Sequence, residues 1–315
     1  MTMHVAILDD IHNAFEATDG VRRLRERAQV RIFTAPFGNP EALAGFDALV
    51  ANRERTRFDR QLLAQLPDVR IIAQTGNHAH HLDFEAAQDL GIAVGKASGG
   101  YSIGAAELSI GLAMAVMRQI PTSDQAIKRG EWPTPLTPIM SGKTLGIVGL
   151  GRLGQHVARL GAAFGMRVIA WSPSLTETTA AEHGAEYSEF DQLMATSDVV
   201  SVHVSLKPET RGLIDARRIS LMKPTAVLIN TARGPIVDER ALVAALQEKR
   251  IAGAGLDVFD QEPLPGDHPL TRCPNSVLTP HMGWPTDQGY EQFSDAAADV
   301  LIAYLDGGDF PSFKV

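Results

Sequence analysis

Thr144-Leu145-Gly146-Ile147-Val148-Gly149-Leu150-Gly151-Arg152-Leu153-Gly154 is the stretch on which the fold turns. Residues 144–148 are apolar and of strand length, and residues 153–164 carry a helical pattern. Between them stands Gly-x-Gly-x-x-Gly, and each glycine has a physical task. Gly149 permits the tight turn, Gly151 lets backbone approach a pyrophosphate, and Gly154 lets the helix pack close to the strand. The helix start adds unpaired N–H groups and a partial positive charge for an anion. A further strand ends about twenty residues on, at 167–171, as a βαβ dinucleotide fold requires. The residue after that strand usually carries an acidic side chain for the ribose hydroxyls. Here the sequence continues Ser172-Pro173-Ser174, with neither a carboxylate to repel a 2′-phosphate nor a cation to attract one. The reading favours NAD and leaves NADP open.

Outward from the glycines, short apolar runs alternate with helical segments, the signature of βαβ units in parallel sheets. A first set of strands is expected at 4–8, 30–33, 48–50, 69–73 and 92–94. Helical patterns lie at 17–27, 59–66 and 84–90, the last with Asp83 as N-cap. A second set is expected at 144–148, 167–171, 199–204, 226–230, 253–258 and 276–279. A long helix over 101–119 and a proline-rich loop at 132–138 join the two sets. Residues 287–305 read as a final helix with Phe293, Ala297, Val300, Leu301 and Tyr304 on one face. The fold class is α/β, with two doubly wound parallel-sheet domains.

The chain has 315 residues, a length suited to two domains. Its 44% hydrophobic and 21% charged residues are ordinary globular values, which argues against disorder or a fibrous chain. A formal charge of −8 speaks against a nucleic-acid or anionic-membrane surface. Cys273 is the single cysteine, so no internal disulfide can form, and a reducing compartment is expected. The amino terminus lacks the basic start and apolar core of a signal peptide, and the apolar interior of 103–120 is too short to span a bilayer. The expectation is a cytoplasmic protein.

Three polar groups follow three strands of the second set: Arg233 in Asn230-Thr231-Ala232-Arg233-Gly234, Glu262 in Asp257-Val258-Phe259-Asp260-Gln261-Glu262-Pro263, and His281 in Thr279-Pro280-His281-Met282-Gly283. Ligands of open α/β sheets sit beyond the carboxyl ends of the strands. A guanidinium can grip a carboxylate with two parallel hydrogen bonds, so Arg233 suits a 2-oxo acid. His281 can give a proton to an alkoxide and take it back, and a neighbouring Glu262 would orient the ring and favour its charged form. Alone, each is more simply a surface ion pair or a satisfied core residue. Their shared position is what points to chemistry.

These stretches, with Val237-Asp238, make the chain resemble the D-isomer-specific 2-hydroxyacid dehydrogenases over nearly its whole length. The resemblance implies that Arg233, Glu262 and His281 are catalytic. It implies cofactor contacts from Gly149, Gly151, Arg152, Leu153, Gly154 and Ser172. Val204, Ser205, Thr231, Ala232, Asp257 and Gly283 join them, although His203-Val204-Ser205 lacks the proline often found there. It further implies a nucleotide domain (100–283) inserted into a flavodoxin-like substrate domain (1–99 and 284–315), and a homodimer joined through the former. Gln74-Thr75-Gly76-Asn77-His78 resembles the loop that receives the substrate carboxylate, which makes Gly76, Asn77 and His78 substrate candidates. Arg53 matches a position near the distal end of the substrate. Tyr101 and Trp284 flank the expected cleft, as pocket or as packing. Glu262 sets the chain apart from the formate dehydrogenases, which resemble this fold but carry glutamine there. His78, His80 and His81 are read as loop structure and not as a metal site, because adjacent histidines cannot easily converge on one ion and no other ligand completes a set. The competing reading is a dinucleotide-sensing interaction protein like the C-terminal-binding-protein corepressors, which share the triad but carry added recognition segments.

Overall fold

A computed structural model describes residues 2–76, 79–98 and 103–313. Its backbone divides into two compact units, one of Met1–Tyr101 with Pro285–Val315 and one of Ser102–Trp284. Asn77, His78 and Tyr101 lie outside the described residues.

In the first unit the strands are β1 (Met3–Ile7), β2 (Ala28–Ile32), β3 (Ala48–Ala51), β4 (Ile71–Thr75) and β5 (Ala93–Ala97). They form a parallel sheet in the order β2-β1-β3-β4-β5. Its helices are α1 (Asp19–Arg25), α2 (Arg60–Leu63) and α3 (Phe84–Asp89), with a C-terminal helix at Asp287–Leu305. The apolar run of β3 and the apolar start of β4 are buried on both faces, as in parallel sheets covered on both sides, and β4 ends in buried Gln74 and Thr75. Ala6, Leu8, Leu49 and Ile72 pack with Phe58, Leu63 and Ala86 on one side. On the other side the C-terminal helix packs against α1, β4 and β5. Asp83 caps α3 by accepting the Ala86 N–H at 2.9 Å.

The second unit holds α4 (Ile103–Met117), α5 (Ile120–Lys128), β6 (Thr144–Val148), α6 (Arg152–Ala163), β7 (Arg167–Trp171), α7 (Glu177–Glu182), β8 (Glu186–Tyr187), α8 (Phe190–Thr196), β9 (Val199–Val202), α9 (Ala216–Leu221), β10 (Val227–Asn230), α10 (Glu239–Gln247), β11 (Gly253–Leu256) and β12 (Ser276–Leu278); the C-terminal helix of the first unit is α11. The strands run parallel in the order β12-β11-β10-β9-β6-β7-β8. Strand order reverses between β6 and β9, so their carboxyl ends open a crevice. Val199, Val227 and Ile229 face α4 and α6, while Val200, Val202 and Leu228 face α8, α9 and α10.

Two expectations need correction. The helix expected over 101–119 stops at Met117, because Gln119 adopts a left-handed backbone (φ 52°). A separate helix, α5, then begins with Pro121 in its first turn, where proline fits without losing a hydrogen bond. The short β8, at the sheet edge, was not expected at all. Among the described residues no single helix is long and apolar enough to cross a membrane.

Candidate active site

β6 delivers the chain into the glycine turn. Gly149 has φ 108°, and a side chain there would strike the backbone of His203 and Val204 at 2.7 and 2.6 Å. At Gly154 a Cβ would lie 2.1 Å from Gly149 O, so the helix can approach the turn only without one. Gly151 is different: an added Cβ would meet nothing within 4 Å, and its bare backbone borders open space. Gln155 N–H bonds Gly151 O at 2.9 Å, so the N–H groups of Arg152, Leu153 and Gly154 precede the helical ladder. These residues fit a bound pyrophosphate. Trp171 O accepts Gly149 N–H at 2.7 Å, and Ser172 Oγ accepts Leu150 N–H at 2.7 Å. Val204 is half-buried and Ser205 exposed beyond β9.

Three loops of the same unit carry the polar groups. After β10, Asn230 is buried and braces its loop from both ends of its amide. Its Oδ1 accepts Ala232 N–H, and its Nδ2 donates to Arg233 O, each at 3.0 Å. Arg233 also donates to Ala232 O at 2.6 Å. A side chain at Gly234 would collide with Phe259 C at 2.1 Å, so glycine lets the Arg233 loop lie against the loop after β11.

That second loop holds Glu262. Its Oε1 accepts Phe259 N–H at 3.0 Å and its Oε2 lies 2.7 Å from His281 Nδ1. Partial burial pushes the Glu262 carboxyl up. The hydrogen bonds from His281 and Phe259 and the nearby charges of His281 and Arg233 outweigh that, and its pKa falls below the ordinary carboxylate value. Arg233, Glu262 and His281 are thus brought together.

His281 sits in a left-handed conformation, φ 53°, which is uncommon for a residue with a side chain. Buried Asp257 holds it there. Its Oδ1 accepts Thr279 Oγ1–H at 2.5 Å and Met282 N–H at 2.8 Å, and its Oδ2 accepts Gly283 N–H at 2.9 Å. The carboxylate therefore ties the end of β11 to both sides of His281. Thr231, buried, shares a hydrogen bond of 2.8 Å with Ser109 on α4, and Ser109 donates onward to Ala105 O at 2.6 Å. Sequence reading named the strand-end stretches but not the bracing roles of Asn230, Asp257 and Ser109. Their types suit many positions, and only the fold shows which backbone groups they reach.

In the first unit, Arg53 follows β3 with φ 62°. Its N–H donates to Thr75 Oγ1 at 2.8 Å, and Gln74 Nε2 donates to its carbonyl at 3.1 Å. Its guanidinium lies directly over Gly76, where a Cβ would stand 2.3 Å from Nη1, and 5.6 Å from the Phe293 ring centroid. Arg53 and Gly76 are therefore neighbours. His81 Nε2 lies 3.1 Å from Gln74 Oε1, and the His80 and His81 rings meet edge to face, 5.9 Å apart.

Comparison with known proteins matches residues 110–283, just over half of the chain, to the family model described as D-isomer specific 2-hydroxyacid dehydrogenase, NAD binding domain. The glyoxylate reductase of Thermococcus litoralis is 37% identical over 303 residues, 92% of this chain and 91% of that protein. The glyoxylate reductase of Aeropyrum pernix is 43% identical over 260 residues, covering 80% and 78%. A candidate D-3-phosphoglycerate dehydrogenase oxidoreductase from Ralstonia solanacearum has a solved structure of TM-score 0.88 and 35% identity, covering 99% of this chain and 96% of that one. The chain belongs to the D-isomer specific 2-hydroxyacid dehydrogenase family, with NAD as its cofactor.

Proposed function

We propose that this chain reduces a small 2-oxo acid to its D-2-hydroxy acid, and reverses the reaction, through Arg233, Glu262 and His281. The observation that carries this reading is the 2.7 Å bond between His281 Nδ1 and Glu262 Oε2, within electrostatic reach of the Arg233 guanidinium. With Nδ1 committed to the carboxylate, Nε2 is the ring nitrogen left to hand a proton to the substrate oxygen. Glu262 stabilises the imidazolium that exists before that transfer. Arg233 pairs with the substrate carboxylate and draws electron density from the carbonyl. The nicotinamide, when bound, supplies the hydride or receives it. Gly149, Gly151, Arg152, Leu153 and Gly154 would hold its pyrophosphate, with Ser172, Val204 and Ser205 toward the adenosine half. Thr231, Ala232, Asp257 and Gly283 would line the nicotinamide half. The unit of residues 102–284 acts as the nucleotide domain, and Arg53 with Gly76 serves the substrate.

The relatives' names make glyoxylate the first substrate to try. The test is a panel of glyoxylate, hydroxypyruvate, pyruvate, phenylpyruvate and 3-phosphohydroxypyruvate with NADH and NADPH. Turnover of at least one, with a D-configured product wherever the product is chiral, supports the reading. A protein that binds NADH yet reduces none of them overturns it in favour of a dinucleotide sensor. The functional particle is further proposed to be a homodimer, supported by the exposed apolar side chains around 120–139.

A further inference from the structure

The loop that carries Glu262 is gripped by a second carboxylate–imidazole pair, outside the group described above. Glu239 opens α10, directly after its capping residue Asp238. Glu239 Oε1 lies 3.1 Å from His268 Nε2, and its Oε2 accepts Asp260 N–H at 3.3 Å. His268 Nδ1 accepts Leu270 N–H at 3.3 Å, so the neutral ring carries its proton on Nε2, toward Glu239. The Glu239 side chain is 17% exposed and that of His268 20%, which separates them from the open ion pairs that contribute little. His268 also starts the short 3-10 turn Pro269–Arg272, which buried Leu270 anchors.

Phe259 N–H goes to Glu262 Oε1, and the next N–H, that of Asp260, goes to Glu239 Oε2. Two carboxylates thus take successive N–H groups of one loop. The same segment presses on Gly234, where a Cβ would lie 2.1 Å from Phe259 C and 2.6 Å from Asp260 N. It is therefore wedged between the Arg233 turn and Glu239. Charge balance does not explain Glu239. Burial and the Glu239 charge push the Asp260 carboxyl above its ordinary value, against the pull of Arg211, so the two acids are unfavourable neighbours. The imidazole and the Asp260 N–H are what keep Glu239 in place.

We propose that Glu239 and His268 are positioning residues for the reaction: together they fix the Phe259–Asp260 peptide, and through it the aim of Glu262 at His281. This rests on the proposed roles of Arg233, Glu262 and His281. The pair acts on the proton step and leaves the dinucleotide turn, on the far side of β9, untouched.

Three measurements test the proposal together: kinetics with NADH and the oxo acid of the panel that is reduced fastest, NADH dissociation constants, and amide hydrogen exchange. Glu239→Ala and His268→Leu should lower kcat/KM about 10- to 100-fold, the scale on which misplacing a reacting group from afar acts. NADH dissociation constants should stay at wild-type values. The solvent deuterium isotope effect on kcat should rise as proton transfer becomes the slow step. Exchange at the Phe259 and Asp260 amides should quicken in both variants, more so in Glu239→Ala. His268→Gln, whose amide N–H can stand where the imidazole Nε2–H stood, should remain close to wild type in every reading. Should Glu239→Ala fold poorly, His268→Leu decides alone, because it leaves the acceptor for Asp260 N–H in place. Unchanged exchange at Phe259 and Asp260 overturns the brace. Unchanged kcat/KM overturns its bearing on the reaction, as does a loss of NADH binding in step with activity. A wild type that reduces no oxo acid overturns the proposed reaction, and this role with it, even where exchange shows the brace intact.

Discussion

Glu262 is kept ionised by what surrounds it. His281 and the Phe259 N–H occupy its two oxygens, and the depressed pKa means that the carboxylate stays charged down to pH values below its ordinary range. The sign follows: its contribution to the dyad is complete near neutrality and fades as pH falls through the lowered pKa. Glu262→Gln preserves shape but removes the negative charge that faces His281 Nδ1. Positioned acid–base groups contribute about 10²–10⁴-fold, and kcat/KM should fall within that range while the melting temperature barely moves. Activity within threefold of wild type from pH 6 to 9 would exclude a shared proton. His203 Nδ1 is enclosed without a hydrogen-bond partner, and Nε2 lies 2.8 Å from Ser201 Oγ. Burial lowers its pKa from 6.5 to about 3, so the unfolded chain takes up a proton first as pH falls. Stability from this group is full above pH 6.5 and drains toward pH 3, at about 1.4 kcal/mol per unit of separation. His203→Gln should therefore lie below wild type in urea unfolding at pH 7.5, with the gap narrowing at pH 5. Parallel pH dependences would refute the assignment.

Among the elements, the glycine turn separates folding from binding. Gly154→Ala forces a methyl against Gly149 O, and overpacking of this kind costs about 1–3 kcal/mol. Gly151→Ala meets no protein atom. The expected pair of outcomes is a lower melting temperature for Gly154→Ala and a nearly unchanged one for Gly151→Ala, with dinucleotide binding lost in the latter. Equal melting losses would mean that Gly151 serves packing. This turn was legible from spacing alone, because Gly149 and Gly154 answer steric demands within the fold and Gly151 leaves its backbone bare toward open space. The same holds for the apolar strands β6, β7 and β10 and for α11, whose period is long and unbroken. Helix α5 was not legible, since Pro121 after a long helical pattern reads as an ending when it is the first turn of a new helix. Nor was β8, whose two residues carry no periodicity. At the site, residue types and strand ends pointed to Arg233, Glu262 and His281. The inward turn of the Ser172 hydroxyl and the triple acceptor role of Asp257 depend on which backbone N–H groups come near, and spacing does not encode that.

At the scale of the whole molecule, the described residues around 120–139 expose several large apolar side chains. Leu136 is fully exposed, Trp132 is 83% exposed and Ile139 63%, while Ile120 and Ile127 project from α5 nearby. Scattered exposed apolar residues are ordinary, but several within twenty residues of chain mark an interaction surface. The segment from Glu131 to Ile139 has no regular structure and three prolines, so its backbone is stiff and loses little freedom on docking. A self-complementary two-fold interface built from such an arm would cover these side chains in both subunits at once. Light scattering should then give about twice the chain mass of 33.9 kDa. The double variant Trp132→Glu, Leu136→Asp should reduce it to one chain while leaving the circular dichroism of the fold intact, because neither side chain is buried in the unit that carries it. A wild type already at one chain mass, or a variant that stays at two, would remove this arm from the assembly.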